Sequence, residues 1–178
     1  MLETSIIIVE DDLRLRAVVE MYMAKAGYNN LGAFESGTAA LQFLAGRAAT
    51  AKIPDVAIID IHLQDDMDGI ETARQMSERY RVAVIFITGL DDQKTIDRAF
   101  CIKPMAYLLK PFTRAQLQLT ITAALYQARL EKRLEETNKQ LNREIEERLQ
   151  LARSVDEITE RERERLEAVP EMMLSCTA

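Results

Sequence analysis

The sequence predicts an open, doubly wound α/β fold in which five parallel strands carry helices on both faces. Two observations carry this expectation. Over residues 1–124 short apolar runs alternate with longer segments of helical period, the pattern of repeated strand-helix-strand units. In addition, Glu10-Asp11-Asp12, Asp60, Thr88 and Lys110 each stand directly behind an apolar run. Ligands bind at the carboxyl ends of the strands of such a sheet, so these side chains should converge on one rim.

The elements follow in order. Strands are expected at residues 6–9, 31–34, 56–59, 82–87 and 106–109, all but the second nearly wholly apolar, as strands buried on both faces require. The second is the weakest and is expected toward an edge. Helices are expected at 13–26, 37–46, 68–80 and 92–102. The first places Leu15, Val18, Val19, Tyr22 and Met23 at helical spacing and stops at Gly27. Ser36 opens the second, which buries Ala40, Leu41 and Leu44. Asp68 caps the third ahead of Ile70, Ala73 and Met76, and Asp91-Asp92 the fourth ahead of Ile96, Ala99 and Phe100. Pro104 turns Lys103 out of the fourth helix.

Thr113 is a good cap for a fifth helix starting near Arg114, and that helix meets no stop signal. From Leu117 to Val169 there is no Pro and no Gly, and Glu, Arg, Leu and Gln dominate. Leu134, Leu141 and Val155 fall at one core position of a heptad, with Asn138, Ile145, Ala152 and Leu166 at the other. Arg148, Thr159 and Glu162 interrupt the seam, and the stripe thins after Ile158, where fraying is expected. The sequence thus predicts a domain at 1–124, a helical coiled-coil extension at 125–169 that forms a homodimer, and a disordered tail at 170–178. A solvated single helix is the alternative for the extension.

Composition bounds what else is present. A chain of 178 residues, 48% hydrophobic, suits one domain with an appendage. A formal net charge of -6 gives no electrostatic reason to expect nucleic-acid binding. Cys101 and Cys176 have neither CxxC spacing nor a neighbouring His, which argues against a zinc site or disulfide framework. With no basic leader, and no run near the ~18 apolar residues of a membrane span, a soluble cytoplasmic protein is expected.

Clustered carboxylates raise one another's pKa unless a cation neutralises them. Mg2+ suits that task, because it takes oxygen ligands and uses only one or two carboxylates in its shell. Glu10, Asp11 and Asp60 can supply carboxylates, and a backbone carbonyl just beyond Asp60 another oxygen. Asp60 is the best nucleophile, because it ends the central strand. Lys110 would place a fixed charge, and Thr88 a hydroxyl, on phosphoryl oxygens.

At these residues the chain resembles a known family. Ile6-Ile7-Ile8-Val9-Glu10-Asp11-Asp12, Pro54-Asp55-Val56-Ala57-Ile58-Ile59-Asp60, Met67-Asp68-Gly69, Phe86-Ile87-Thr88-Gly89 and Tyr107-Leu108-Leu109-Lys110-Pro111-Phe112 are similar to the signatures of two-component response regulator receiver domains. The resemblance implies a flavodoxin-like (βα)5 receiver. It implies that Asp60 accepts a phosphoryl group from a histidine kinase or phosphotransfer protein. It assigns Mg2+ to Glu10, Asp11, Asp60 and the backbone carbonyl of His62, the phosphate-binding lysine to Lys110, and the switch to Thr88 and Tyr107. Such a domain is no enzyme beyond its own phosphotransfer and autodephosphorylation.

Two departures stand out. The loop from Asp60 to Gly69 lacks the family's usual proline and is one residue longer, with Gln64-Asp65-Asp66 near the metal. Cys101-Ile102-Lys103-Pro104-Met105 replaces a common Gly-Ala turn. An aspartate-nucleophile phosphohydrolase would need a second acid two residues beyond Asp60, where His62 stands. A phosphorylation-independent dimerisation scaffold is the alternative reading. Residues 130–150 resemble signalling helices, and 157–169 weakly resemble the opening of a LuxR-type DNA-binding domain whose remaining helices are absent, which favours a truncated chain.

Overall fold

The computed structural model describes residues 4–47, 52–64, 67–89 and 93–167. The expected cap at Asp91-Asp92, the side chain of Ile96, Asp65-Asp66 and the tail at 170–178 lie outside the described residues. The order is β1 (Ser5–Val9), α1 (Leu13–Ala26), β2 (Asn29–Phe34), α2 (Gly37–Arg47), β3 (Val56–Asp60), α3 (Gly69–Tyr80), β4 (Ala83–Thr88), α4 (Gln93–Cys101), β5 (Ala106–Leu109) and α5 (Arg114–Glu167). The strands form one parallel sheet in the order β2-β1-β3-β4-β5. Its direction of winding reverses between β1 and β3, and a crevice opens at that point beyond the strand ends.

Strand alternation divides the core. Ile7, Val9, Ala57, Ile59, Val84 and Phe86 point to the face covered by Ala40 and Leu44 of α2, Ile70, Ala73 and Met76 of α3, and Ala99 of α4. Ile6, Ile8, Ile58, Ala83, Ile85 and Ile87 point to the other, covered by Val19 and Met23 of α1 and by Leu117, Ile121 and Ala124 of α5. With both faces covered, the three inner strands are buried along their whole length, whereas β2 at the edge is only partly so. That difference is why β2 was the least apolar run.

The ends of the helices obey local chemistry. Asp12 accepts from the amides of Arg14 and Leu15, at 2.7 and 3.2 Å, and caps α1, which ends on Gly27 at φ 77°. The Ala39 amide donates to the Ser36 hydroxyl at 3.2 Å. Asp68 accepts from the Glu71 amide at 2.8 Å. At α5 the Gln116 amide donates to the Thr113 hydroxyl at 3.3 Å, while Gln116 Oε1 accepts from the Thr113 amide at 2.8 Å, a capping box.

Two details differ from expectation and a third refines it. Lys103 stands outside α4, as the following Pro104 requires, and takes the left-handed region at φ 53°. The tight turn this makes delivers Met105 to the Val84 carbonyl at 2.8 Å, where β5 starts. Phe100 is 60% exposed rather than buried with Ala99. Finally, α5 continues to Glu167 rather than fraying after Ile158. Its last turns are rich in Glu and Arg, good helix formers, with pairs such as Glu157 and Arg161 four residues apart.

The chain divides after Leu130 into two units. In the second, every residue from 131 to 166 is exposed, including Leu134, Leu141, Ile145, Leu149, Leu151, Val155, Ile158 and Leu166.

Candidate functional site

Three strand ends build the site. Glu10 follows β1, Asp60 closes β3 and Lys110 follows β5, and the sheet order brings them together although 50 residues separate Asp60 from either of the others. The Lys110 ammonium donates to Asp60 Oδ2 at 2.8 Å and to Glu10 Oε2 at 3.0 Å. Glu10 is 1% and Asp60 5% exposed. One carboxylate oxygen each from Glu10, Asp11 and Asp60 lie within 4.8 Å of one another, a group able to hold a metal ion. These hard oxygen donors, beside an open cleft, fit Mg2+.

Backbone groups hold the acids from below. The His62 amide donates to Asp60 Oδ1 at 3.2 Å, and the Gln64 amide to Asp11 Oδ2 at 3.3 Å. The Asp12 amide donates to Asp11 Oδ1 at 3.1 Å. Gly69 explains why the Met67-Asp68-Gly69 segment needs a glycine: a Cβ there would overlap the backbone carbonyl of Asp60. The site opens into a cleft of about 490 Å³ lined by Glu10, Asp11, Asp12, Asp60, His62, Gln64 and Lys110. The His62 side chain is exposed at its mouth.

The electrostatics follow from burial and crowding. Burial first, and then the Asp60 charge, raise the Glu10 pKa to about 7, against the opposing pull of Lys110. For Lys110 burial works against the charge, but its bonds to Asp60 and Glu10 outweigh it and raise its pKa. Lys110 is thus a permanent cation between two acids, one of which is easily protonated.

Thr88 closes β4 and is 5% exposed; its carbonyl accepts from the Lys110 amide at 2.9 Å. The Tyr107 ring centroid lies 5.8 Å from that of Phe86 and 5.1 Å from that of Phe100. Its hydroxyl oxygen is buried with no hydrogen-bond partner among the described residues. Sequence reasoning missed one contributor, Arg16, whose Nη1 donates to the Glu10 carbonyl at 2.7 Å. Nothing in the spacing signals it, because the bond depends on how the loop folds back over α1.

A parallel sheet wound in this order, with an acid cluster and a lysine at its switch point, defines a receiver-type α/β domain. The chain belongs to the response regulator receiver family, whose domain model matches residues 6–122. It is 32% identical over 138 residues to the heme response regulator HssR of Staphylococcus epidermidis, covering 76% of this chain and 58% of that one. It is 27% identical over 126 residues to the transcriptional regulatory protein ResD of Bacillus subtilis, covering 71% and 50%. The chain therefore spans little more than half the length of these curated relatives. A signal receiver domain of a modulated diguanylate cyclase from Desulfovibrio desulfuricans G20 superposes with a TM-score of 0.66 at 32% identity, over 72% of this chain and 98% of that one. Among the described residues, no helix is long and apolar enough to cross a membrane.

Proposed function

We propose that Asp60 accepts a phosphoryl group from a histidine kinase or phosphotransfer protein in a Mg2+-dependent reaction, and that the modified domain switches its packing to control an output module. The observation that carries this reading is the Asp60 carboxylate at the end of the central strand, bonded to Lys110 at 2.8 Å and within one metal ion's reach of Glu10 and Asp11. An Asp60 carboxylate oxygen attacks phosphorus. The P–N bond to the donor histidine breaks with its electron pair on the imidazole nitrogen, and an acyl phosphate forms. Later, water attacks phosphorus, restoring the carboxylate and releasing inorganic phosphate.

Mg2+, held by Glu10, Asp11, Asp60 and the His62 carbonyl, would supply neutralising charge when bound. Lys110 contributes a positive charge for one phosphoryl oxygen, and the Thr88 hydroxyl a hydrogen bond to another. Tyr107, whose hydroxyl has no partner among the described residues, is the aromatic that repacks with Thr88. The switch is a shift between two packings, not a new fold. The receiver occupies residues 1–124, and the helical extension at 125–169 pairs two copies of the chain. The curated relatives' names, a heme response regulator and a transcriptional regulatory protein, support an output controlled by such a switch.

Intact-mass spectrometry after incubation with a small-molecule phosphodonor and Mg2+ tests the chemistry. One phosphoryl adduct is expected on the native chain, and none on Asp60→Asn or after metal removal. No adduct under any condition would leave the fold intact and turn the reading toward a phosphorylation-independent scaffold.

A further inference from the structure

Arg16 stands on α1, six residues beyond Glu10, and its half-buried side chain turns back onto the loop that precedes the helix. Its Nη1 donates to the Glu10 carbonyl at 2.7 Å. The Glu10 amide is held from the opposite side, donating to the Phe34 carbonyl of β2 at 3.0 Å. The Arg16 amide donates to the Asp12 carbonyl at 2.9 Å, which anchors the start of the helix that carries the clamp. Glu10 is therefore held at both its amide and its carbonyl, and at the carbonyl the grip comes from the charged side chain of Arg16.

A carbonyl at a strand end is normally content with water. A guanidinium there gives a short charge-assisted bond, and it sets the direction of the peptide from which Asp11 departs. Mg2+ tolerates little error, since it demands near-octahedral geometry at about 2.0–2.1 Å. Two carboxylates on adjacent residues can meet one such ion only if the backbone between them is fixed.

We propose that Arg16 is a positioning residue of the divalent-cation site: by clamping the Glu10 carbonyl it fixes the loop so that the Glu10 and Asp11 carboxylates face the same ion. The inference rests on the metal-site reading given above. It makes a prediction of unusual sign. Taking a cation away from beside an acidic site strengthens cation binding by Coulomb's law, whereas loss of a positioning clamp weakens it.

The test is Mn2+ binding to the full chain without phosphodonor, followed by electron paramagnetic resonance of the free ion. Arg16→Met keeps much of the aliphatic stem and so its packing, and removes the donor. It should weaken Mn2+ binding by about 10-fold or more, within the ~10–100-fold that supports of metal ligands contribute. Arg16→Lys restores a donor, though as a point charge rather than a fork, and should recover part of the loss. Arg14→Met removes the same charge from the exposed neighbour and should leave binding unchanged or tighter. Thermal midpoints of the metal-free variants close to that of the native chain would separate lost positioning from lost folding. Arg16→Met binding Mn2+ as tightly as the native chain, or more tightly, would overturn the proposal while leaving the metal site standing. A native chain that binds no Mn2+, or an Asp11→Asn chain that binds it equally well, would overturn the metal-site reading itself.

Discussion

Glu10 is a carboxylate that the fold buries against a second carboxylate, and the Lys110 ammonium, paired with both, offsets their repulsion. Its pKa, raised to about 7 by burial and by the Asp60 charge, lets Glu10 hold a proton close to neutrality. The sign follows directly. The native state binds this proton more tightly than the unfolded chain, so Glu10's contribution to stability is fully present below the unfolded value of 4.5 and is lost as pH rises through about 7. A divalent cation requires the deprotonated form, so binding below that pH must expel a proton. Calorimetric titration of Mg2+ in buffers of different ionisation enthalpy should show proton release near pH ~6 that disappears by pH ~8. Heats independent of the buffer at the lower pH would show that Glu10 is already ionised or takes no part in binding.

At the scale of elements, a side-chain ion pair ties the start of α3 to α4. Asp68 caps α3 with one oxygen, and its other accepts from Arg98 Nη2 on α4 at 2.6 Å. The pair closes one wall of a cavity of about 270 Å³ beneath the loop that leaves Asp60. Both partners are well exposed, so the bond is worth less than ~1 kcal/mol to global stability. Its effect should be local: Arg98→Ala is expected to leave the thermal midpoint nearly unchanged while amide exchange quickens in α4 more than in α1 or α3. Equal quickening in all three helices would refute a tethering role. Neither this pair nor the Arg16 clamp was legible in the sequence, because both join groups through the path of a loop. The strands, the caps at Asp68 and Thr113, and the meeting of Glu10, Asp60 and Lys110 were legible. They depend on alternation, on residues within one helical turn, and on strand order. The exposed Phe100 and left-handed Lys103 show the limit, since both are decided by how α4 ends against β5.

At the scale of the whole chain, the two units differ in how their apolar groups are satisfied. The sheet unit buries the isoleucines of its three inner strands, whereas beyond Leu130 a helix presents a row of exposed Leu, Ile and Val with no core of its own. An isolated helix gains little from such a stripe, and most helical stability in proteins comes from packing an apolar face. Reading Leu134 and Leu141 as d positions makes Asn138 and Ile145 a positions. A β-branched residue at a with Leu at d favours two parallel strands, and one Asn at a fixes their register at some cost in stability. Further along, Arg148 falls on the same seam, but its guanidinium pairs with Glu144 of its own helix at 2.7 Å. The pairing should therefore be strongest over residues 134–145. Sedimentation equilibrium of the full chain should give a dimer, and placing Lys at both Leu134 and Leu141 should return it to monomer while the sheet unit stays folded. Asn138→Leu should raise the assembly's melting temperature and admit species larger than the dimer, because the register-setting polar contact is gone. A native chain that sediments as a monomer at micromolar concentration would mean that the stripe belongs to a different partner.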